Sequence, residues 1–223
     1  MAQKTVYQPL LNEIGVKRTL IEYEYFSGFA LSQKQKCISS LHKAAEKENI
    51  TNILEVSSKS PNPIGVNLSA FNLSININNT LFCVEQVFQA SKVFEKGGPY
   101  TDLLTVSSRE AKRDSRLKES GNIIAFKIID KDFPTEPKTF FYDWLYSNAL
   151  LQNKEILKKA LDYKAFTDIE FNEKKSINCQ AYSLALFCSV IKNNNGLINN
   201  NNISKEDFFE ICKSEYASRW NIL

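Results

Sequence analysis

VEQVFQASK, residues Val84 to Lys92, is the stretch whose periodicity decides how the rest of the chain is read. Val84, Val87, Phe88 and Ser91 recur at helical spacing and form an apolar stripe suited to a core. Glu85, Gln89 and Lys92 stand at i, i+4 and i+7, on a second stripe turned by about 100° from the first. A carboxylate, a carboxamide and an ammonium beside a buried face can meet a ligand at a cleft. The same spacing also describes an ordinary solvated face, and periodicity alone does not separate the two. The helix is expected to continue through VFEK and stop at Gly97, Gly98 and Pro99.

Downstream of this helix the pattern is mainly helical. SSREAKRDSRLKESG predicts a helix opened by a Ser107–Glu110 capping box and closed at Gly121. Pro137 suits the first turn of a helix through FFYDWLYSNALL, and NKEILKKALDY continues after a break near Asn153. FTDIEFNEKKSIN reads as a polar loop and CQAYSLALFCSVI as a core helix. Asn193 to Asn202 is a low-complexity surface loop, after which Ser204 and Asp207 open a last amphipathic helix through Arg219. Upstream the chain reads as α/β. Leu20 to Phe26 is a strand, Ser32 caps a helix to about Glu48, and Ile53 to Ser58 is a second strand. Ser60 to Gly65 is a turn by composition, and VNLSAFNLSI is extended.

Composition narrows the chemistry. The 223 residues are 43% hydrophobic and 24% charged, which fits one globular domain with a sizeable core. No apolar run approaches a membrane span, and MAQKTVYQPLLNEIG lacks the layout of a secretory signal. Five scattered cysteines without a CxxC pair read as reduced thiols of a cytoplasmic protein. A net charge of +3 permits contact with a nucleic acid without requiring it. His42 is the only histidine, so a Ser-His-Asp triad or a His-rich metal site would have to be built around it. Its place in an amphipathic helix reads as a partly exposed surface residue. Neither a metal nor a cofactor is expected, and the chemistry falls to carboxylates, lysines and amides.

Several further stretches hold candidate site residues. Gly98 and Tyr100, in EKGGPYTD, can bring backbone amides to a phosphate, although Gly-Gly-Pro is also a plain helix terminator. Arg109, Lys112, Arg113 and Arg116 form a basic stripe that suits phosphates, or else an exposed face laced with Glu110, Asp114 and Glu119. Lys59 lies in a loop after a strand, where site residues concentrate. Phe71 and Asn72 can stack on a ring and hydrogen-bond it. Asp168, Glu170, Asn172 and Asn178 gather in the loop before the apolar helix. An all-oxygen metal site there is not expected.

Taken together, these pieces resemble the NADAR family, whose hallmark is an asparagine-phenylalanine element followed by a helix of the form (T/V)-E-x-x-(Y/F)-Q-A-x-K. Phe71-Asn72 gives the first in reversed order, and Val84-Glu85, Phe88-Gln89-Ala90 and Lys92 give the second. Ser108 to Lys112, Asp168 and Asn178 correspond to later elements, while Ile169-Glu170-Phe171 stands where the family has a tryptophan-glycine pair. The wording of the chain looks nearest to the branch found beside DarT-type toxins. The resemblance implies an α+β fold, mainly helical, in a single domain with a small sheet contributed by the N-terminal part. Residues 57–192 would be the catalytic core, 1–56 an α/β extension packed on it, and 193–223 an Asn-rich loop and terminal helix.

It further implies an ADP-ribosyl hydrolase that cleaves the N-glycosidic bond between ADP-ribose and guanine in DNA, as antitoxin to a DarT-type ADP-ribosyltransferase. Glu85, Lys92 and Asp168 would be catalytic. Lys59, Phe71, Asn72, Gln89, Gly98, Tyr100, Arg109, Lys112, Glu170 and Asn178 would bind substrate. ADP-ribosylated DNA and a DarT-type toxin are the expected partners, and the chain is expected to be a monomer. Other NADAR relatives imply a glycosidase for a small nucleotide-like metabolite, and a module that binds ADP-ribose or the toxin without turnover is a further alternative.

Overall fold

The computed structural model describes residues 1–194 and 196–220. Its first element is a hairpin of β1 (Ala2–Pro9) and β2 (Val16–Tyr23), paired along its length from Ala2↔Tyr23 to Pro9↔Val16. β1 escapes a local reading because AQKTVYQP mixes polar and apolar residues. The strand exists because Val6 and Tyr7 are buried between the helices on either side. α1 (Leu31–Lys47) buries Cys37, Ile38, Leu41 and Ala45 against this sheet. Its N-cap is Ala30, so Ser32 lies inside the first turn and caps nothing. β3 (Ile53–Glu55) does not pair with the hairpin directly. Between them comes β9 (Ala165–Thr167), parallel to β3 and antiparallel to β1, which makes the order β2-β1-β9-β3. A piece of the expected polar loop thus completes the main sheet.

Ser60 to Gly65 is more than a turn. Asn62 accepts a hydrogen bond from the Ile64 amide at 2.9 Å and caps α2 (Pro63–Asn67), with Pro63 in the first turn. The segment read as extended therefore begins helical, and only its end becomes β4 (Ser74–Ile77), paired with β5 (Thr80–Cys83). Asn78 and Asn79 form the turn between them with φ of 51° and 63°, a conformation asparagine tolerates better than most side chains.

α3 (Val84–Ala90) is shorter than its periodicity suggested. Residues Lys92–Phe94 are β6, which pairs with β7 (Ile123–Ile128), itself paired with β8 (Lys131–Phe133). β-branched and aromatic residues in KVF and IIAFKI favour this sheet over a longer helix. The helix expected from Ser107 to Gly121 is two pieces, α4 (Ser108–Arg113) and α5 (Arg116–Glu119). The capping box forms as expected. The break falls at Asp114, whose Oδ1 takes the Arg116 backbone and Nε donors at 2.9 Å each. Pro137 lies ahead of α6 (Phe140–Gln152), where its carbonyl accepts from the Phe140 amide.

α6 and α8 (Gln180–Asn193) are buried over nearly their whole length and form the centre of the core. α7 (Lys154–Leu161) and α9 (Lys205–Trp220) cover them. The Ser204 hydroxyl accepts from the Asp207 amide at 3.0 Å at the start of α9. The result is a mainly helical α+β domain, and among the described residues no helix is long and apolar enough to cross a membrane.

Candidate active site

A cleft of about 1100 Å³ opens between α3, α4, β7 and the loop after β9. α3 enters it at a fixed angle. The Gln86 side chain accepts from the Cys83 amide, and the Glu85 amide donates to the Ala70 carbonyl at 2.9 Å. Val84, Val87 and Phe88 face the core as the apolar stripe requires. The polar stripe is not solvated: Glu85 is 4% and Gln89 5% exposed. The Gln89 amide donates to Glu85 Oε1 at 2.9 Å, and Lys92 Nζ donates to Gln89 Oε1 at 2.6 Å. The three side chains make one hydrogen-bonded line, even though the helix ends before Lys92.

Cations flank that line. Lys112 Nζ lies 3.3 Å from Glu85 Oε1 and 4.9 Å from the centre of the Phe71 ring. Lys92 Nζ sits 4.6 Å over the Phe88 ring, which meets Tyr142 edge-on at 5.0 Å. Burial pushes the Lys92 ammonium down to about 8; Glu85 opposes this, and the charge of Lys112 assists it. Near neutral pH an appreciable share of Lys92 is therefore an amine, the form in which lysine is a nucleophile.

The loop lining is built differently. Asp168 follows directly on β9, and its Oδ1 accepts from the amides of Glu170 and Phe171 at 3.0 and 3.1 Å. Lys4 donates to the Phe171 carbonyl and ties the loop to β1. Asp168 is pushed above the usual carboxylate range by burial, with Lys4 opposing. Gln180, the first residue of α8, donates to the Val56 carbonyl at 2.7 Å and accepts from the Ala70 amide at 2.8 Å. It holds the strand end and the Phe71 segment together beneath the cleft. The Asn178 Oδ1 is buried, has no hydrogen-bond partner among the described residues, and belongs to a residue that lines the cleft.

Of the residues singled out in the sequence, Phe71, Glu85, Gln89, Lys92, Lys112, Asp168, Glu170, Asn172 and Asn178 line this one cleft. Glu170 there pairs with Lys34 of α1 at 2.9 Å. Five of the residues implied to bind substrate lie outside the lining. Asn72 is exposed and donates to the Val66 carbonyl, and Lys59 is in the turn after Ser57, to whose hydroxyl its amide donates. Gly98 is in the turn after β6 with a φ of 82°, where a Cβ would collide with the Lys92 carbonyl, so its conformation is needed for the chain to pass there. Tyr100 packs on Phe94 and under Arg116, which is held by Asp102 and Asp114. Arg109 is exposed on α4, and the break at Asp114 disperses the basic stripe. Phe88, Phe126, Tyr142 and Gln180 line the cleft without having been singled out as site residues. Gln180 alone had a local signal, a polar residue at the head of an apolar helix.

Compared with known families, the chain falls among the NADAR proteins. It matches the family described as DarT1-associated NADAR antitoxin over residues 2–221 and belongs to it. No curated protein matches the chain. The family match takes in the β1–β2 hairpin and α9 together with the cleft.

Proposed function

We propose that the chain hydrolyses the N-glycosidic bond between ADP-ribose and guanine in DNA, so undoing the modification made by its DarT-type toxin. The observation that carries this reading is the buried Glu85–Gln89–Lys92 line, set among cations in a cleft large enough for a dinucleotide-sized group. Cleavage of an N-glycoside builds positive charge on the ribose. Glu85 stabilises that charge, and Asp168, whose carboxyl is held protonated more readily than usual, is the acid/base partner. Gln89 and Asn178 orient the ribose, Phe71 stacks on the base, and Lys112 meets phosphate.

Lys92 offers a covalent route. The C1–O4′ bond opens as O4′ takes the proton of Asp168 and the guanine nitrogen forms an iminium to C1. The neutral amine of Lys92 adds to C1, and the C1–guanine bond breaks as the guanine nitrogen takes the amine proton. Water then hydrolyses the lysine imine and returns the amine and free ADP-ribose. The test is a paired incubation of the full chain with oligonucleotides ADP-ribosylated on guanine or on thymine, beside the free ADP-ribosyl nucleoside. Release from the guanine oligonucleotide alone is expected. Faster release from the free nucleoside would reassign the substrate to a small metabolite, and tight binding without release would reassign the chain to a binding module.

A further inference from the structure

Beneath the cleft lies a hydrogen-bonded chain of three residues that no motif picks out. Glu55, at the end of β3, is 1% exposed. Its Oε1 accepts from the Ser57 hydroxyl at 2.6 Å and from the Ile169 amide at 2.8 Å, and its Oε2 accepts from the Thr167 hydroxyl at 2.7 Å. One carboxyl thus grips the residues on both sides of Asp168. This grip fixes the backbone on either side of Asp168, which itself lines the cleft. The chain extends one step further, because His42 Nε2 lies 2.9 Å from the Thr167 hydroxyl. With Glu55 ionised, that hydroxyl gives its single hydrogen to Oε2 and accepts from His42 Nε2–H.

Stability alone does not explain a carboxyl here. β3 and β9 are already paired, with the Val56 amide donating to the Thr167 carbonyl at 2.7 Å, and a buried carboxyl costs free energy that an apolar side chain would not. Burial, together with the charge of Asp168, pushes Glu55 above the usual carboxylate range. What a carboxylate supplies is the capacity to accept three donors at once on two adjacent oxygens.

We propose that Glu55 is a positioning residue for Asp168, and that the Glu55–Thr167–His42 chain holds the Asp168 carboxyl in the geometry the reaction needs. This rests on the reading of Asp168 as the acid/base group. Burial lowers His42 to about 4, so at neutral pH the ring is uncharged and carries one N–H. It is also the only histidine in the protein, so a single imidazole signal reports the state of the chain.

The experiment uses the full protein as wild type, Glu55→Ala, Glu55→Gln and Thr167→Val, with two readouts. The first is steady-state release of ADP-ribose from the guanine-modified oligonucleotide. Glu55→Ala is expected to lower kcat by about 100-fold, the cost of a misplaced catalytic group, with KM changed by no more than about threefold. Glu55→Gln should restore kcat to within about tenfold of wild type, because its Oε1 still takes the Ser57 and Ile169 donors. The second readout is a 1H–15N spectrum of the imidazole recorded at about pH 9.5, above the range to which Glu55 is raised, so that Glu55 is ionised in the wild type. In Glu55→Gln the side-chain N–H donates to the Thr167 hydroxyl, whose hydrogen turns to His42, and the ring changes from the Nε2–H to the Nδ1–H tautomer.

An unchanged kcat in Glu55→Ala, or an unchanged tautomer in Glu55→Gln, overturns the proposal. If Glu55→Ala does not fold, Thr167→Val decides the kinetic half. A fall of about tenfold in kcat with KM held supports the proposal, and wild-type kcat overturns it. Should wild type release no ADP-ribose while the tautomer switches, the hydrolase reading and the catalytic role of Asp168 fail, and the hydrogen-bonded chain stands.

Discussion

Two linings of one cleft hold buried carboxylates by different means. On the helix lining, Glu85 meets an ammonium at 3.3 Å and an amide at 2.9 Å, with Lys92 one bond further along. On the loop lining, Asp168 forms no ion pair among the described residues and is held by two backbone amides. A carboxylate among cations is suited to work as a charge. One whose burial outweighs the charge of a nearby lysine retains its proton to higher pH and is suited to transfer it. The difference supports the proposed division of electrostatic stabilisation and proton transfer between the two linings.

The largest effect is expected where the charge itself is removed. Glu85→Gln preserves shape and should lower ADP-ribose release by about 1000-fold with an unaltered melting curve. Full activity in that variant would dissolve the distinction between the linings. Next comes Lys92. Borohydride should trap an adduct in wild type that is missing from Lys92→Ala. Because the lysine titrates near 8, the neutral amine grows as pH rises through that value, so trapping at pH 8.5 should exceed that at 6.5 by roughly tenfold or more. A flat profile would remove the amine from the reaction.

Lys112 is half exposed, and its ion pair with Glu85 is accordingly weak. Lys112→Met should raise KM by about tenfold or less and leave kcat nearly intact, since the role proposed for it is to meet phosphate. The smallest effect belongs to Arg109→Ala. Its side chain is exposed outside the cleft, and kinetics within about twofold of wild type are expected. A large loss there would extend the helix lining along α4.

The helix lining was far more legible than the loop lining. Val84, Val87 and Phe88 announce their face by spacing, and Glu85, Gln89 and Lys92 fall on one stripe. That stripe's burial was not legible, because it depends on Phe71, Tyr142 and the loop after β9 closing over it. The end of α3 was misplaced for the same reason. KVF can continue a helix, and only pairing with Ile123–Phe126 makes it a strand. β7 did carry a local signal in the β-branched and aromatic residues of IIAFKI, set within a stretch whose pattern is otherwise mainly helical. Glu55 carried none, since a glutamate at the end of ILEVSS resembles any strand-end residue.

From the sequence by itself came the apolar stripes of α1 and α3, the all-round apolar character of α8, the Ser107–Glu110 capping box, the polar order of Glu85, Gln89 and Lys92, and the resemblance that led to the family. These depend on contacts within a few residues along the chain, where spacing and side-chain type suffice. The tertiary structure decided which stripe faces the cleft, that Tyr100 and Arg109 stand outside it, and that Glu55 reaches Thr167 and Ile169. The last of these requires β3 to meet β9 across more than a hundred intervening residues, and no local periodicity encodes which distant strand will supply the donors for a buried carboxyl.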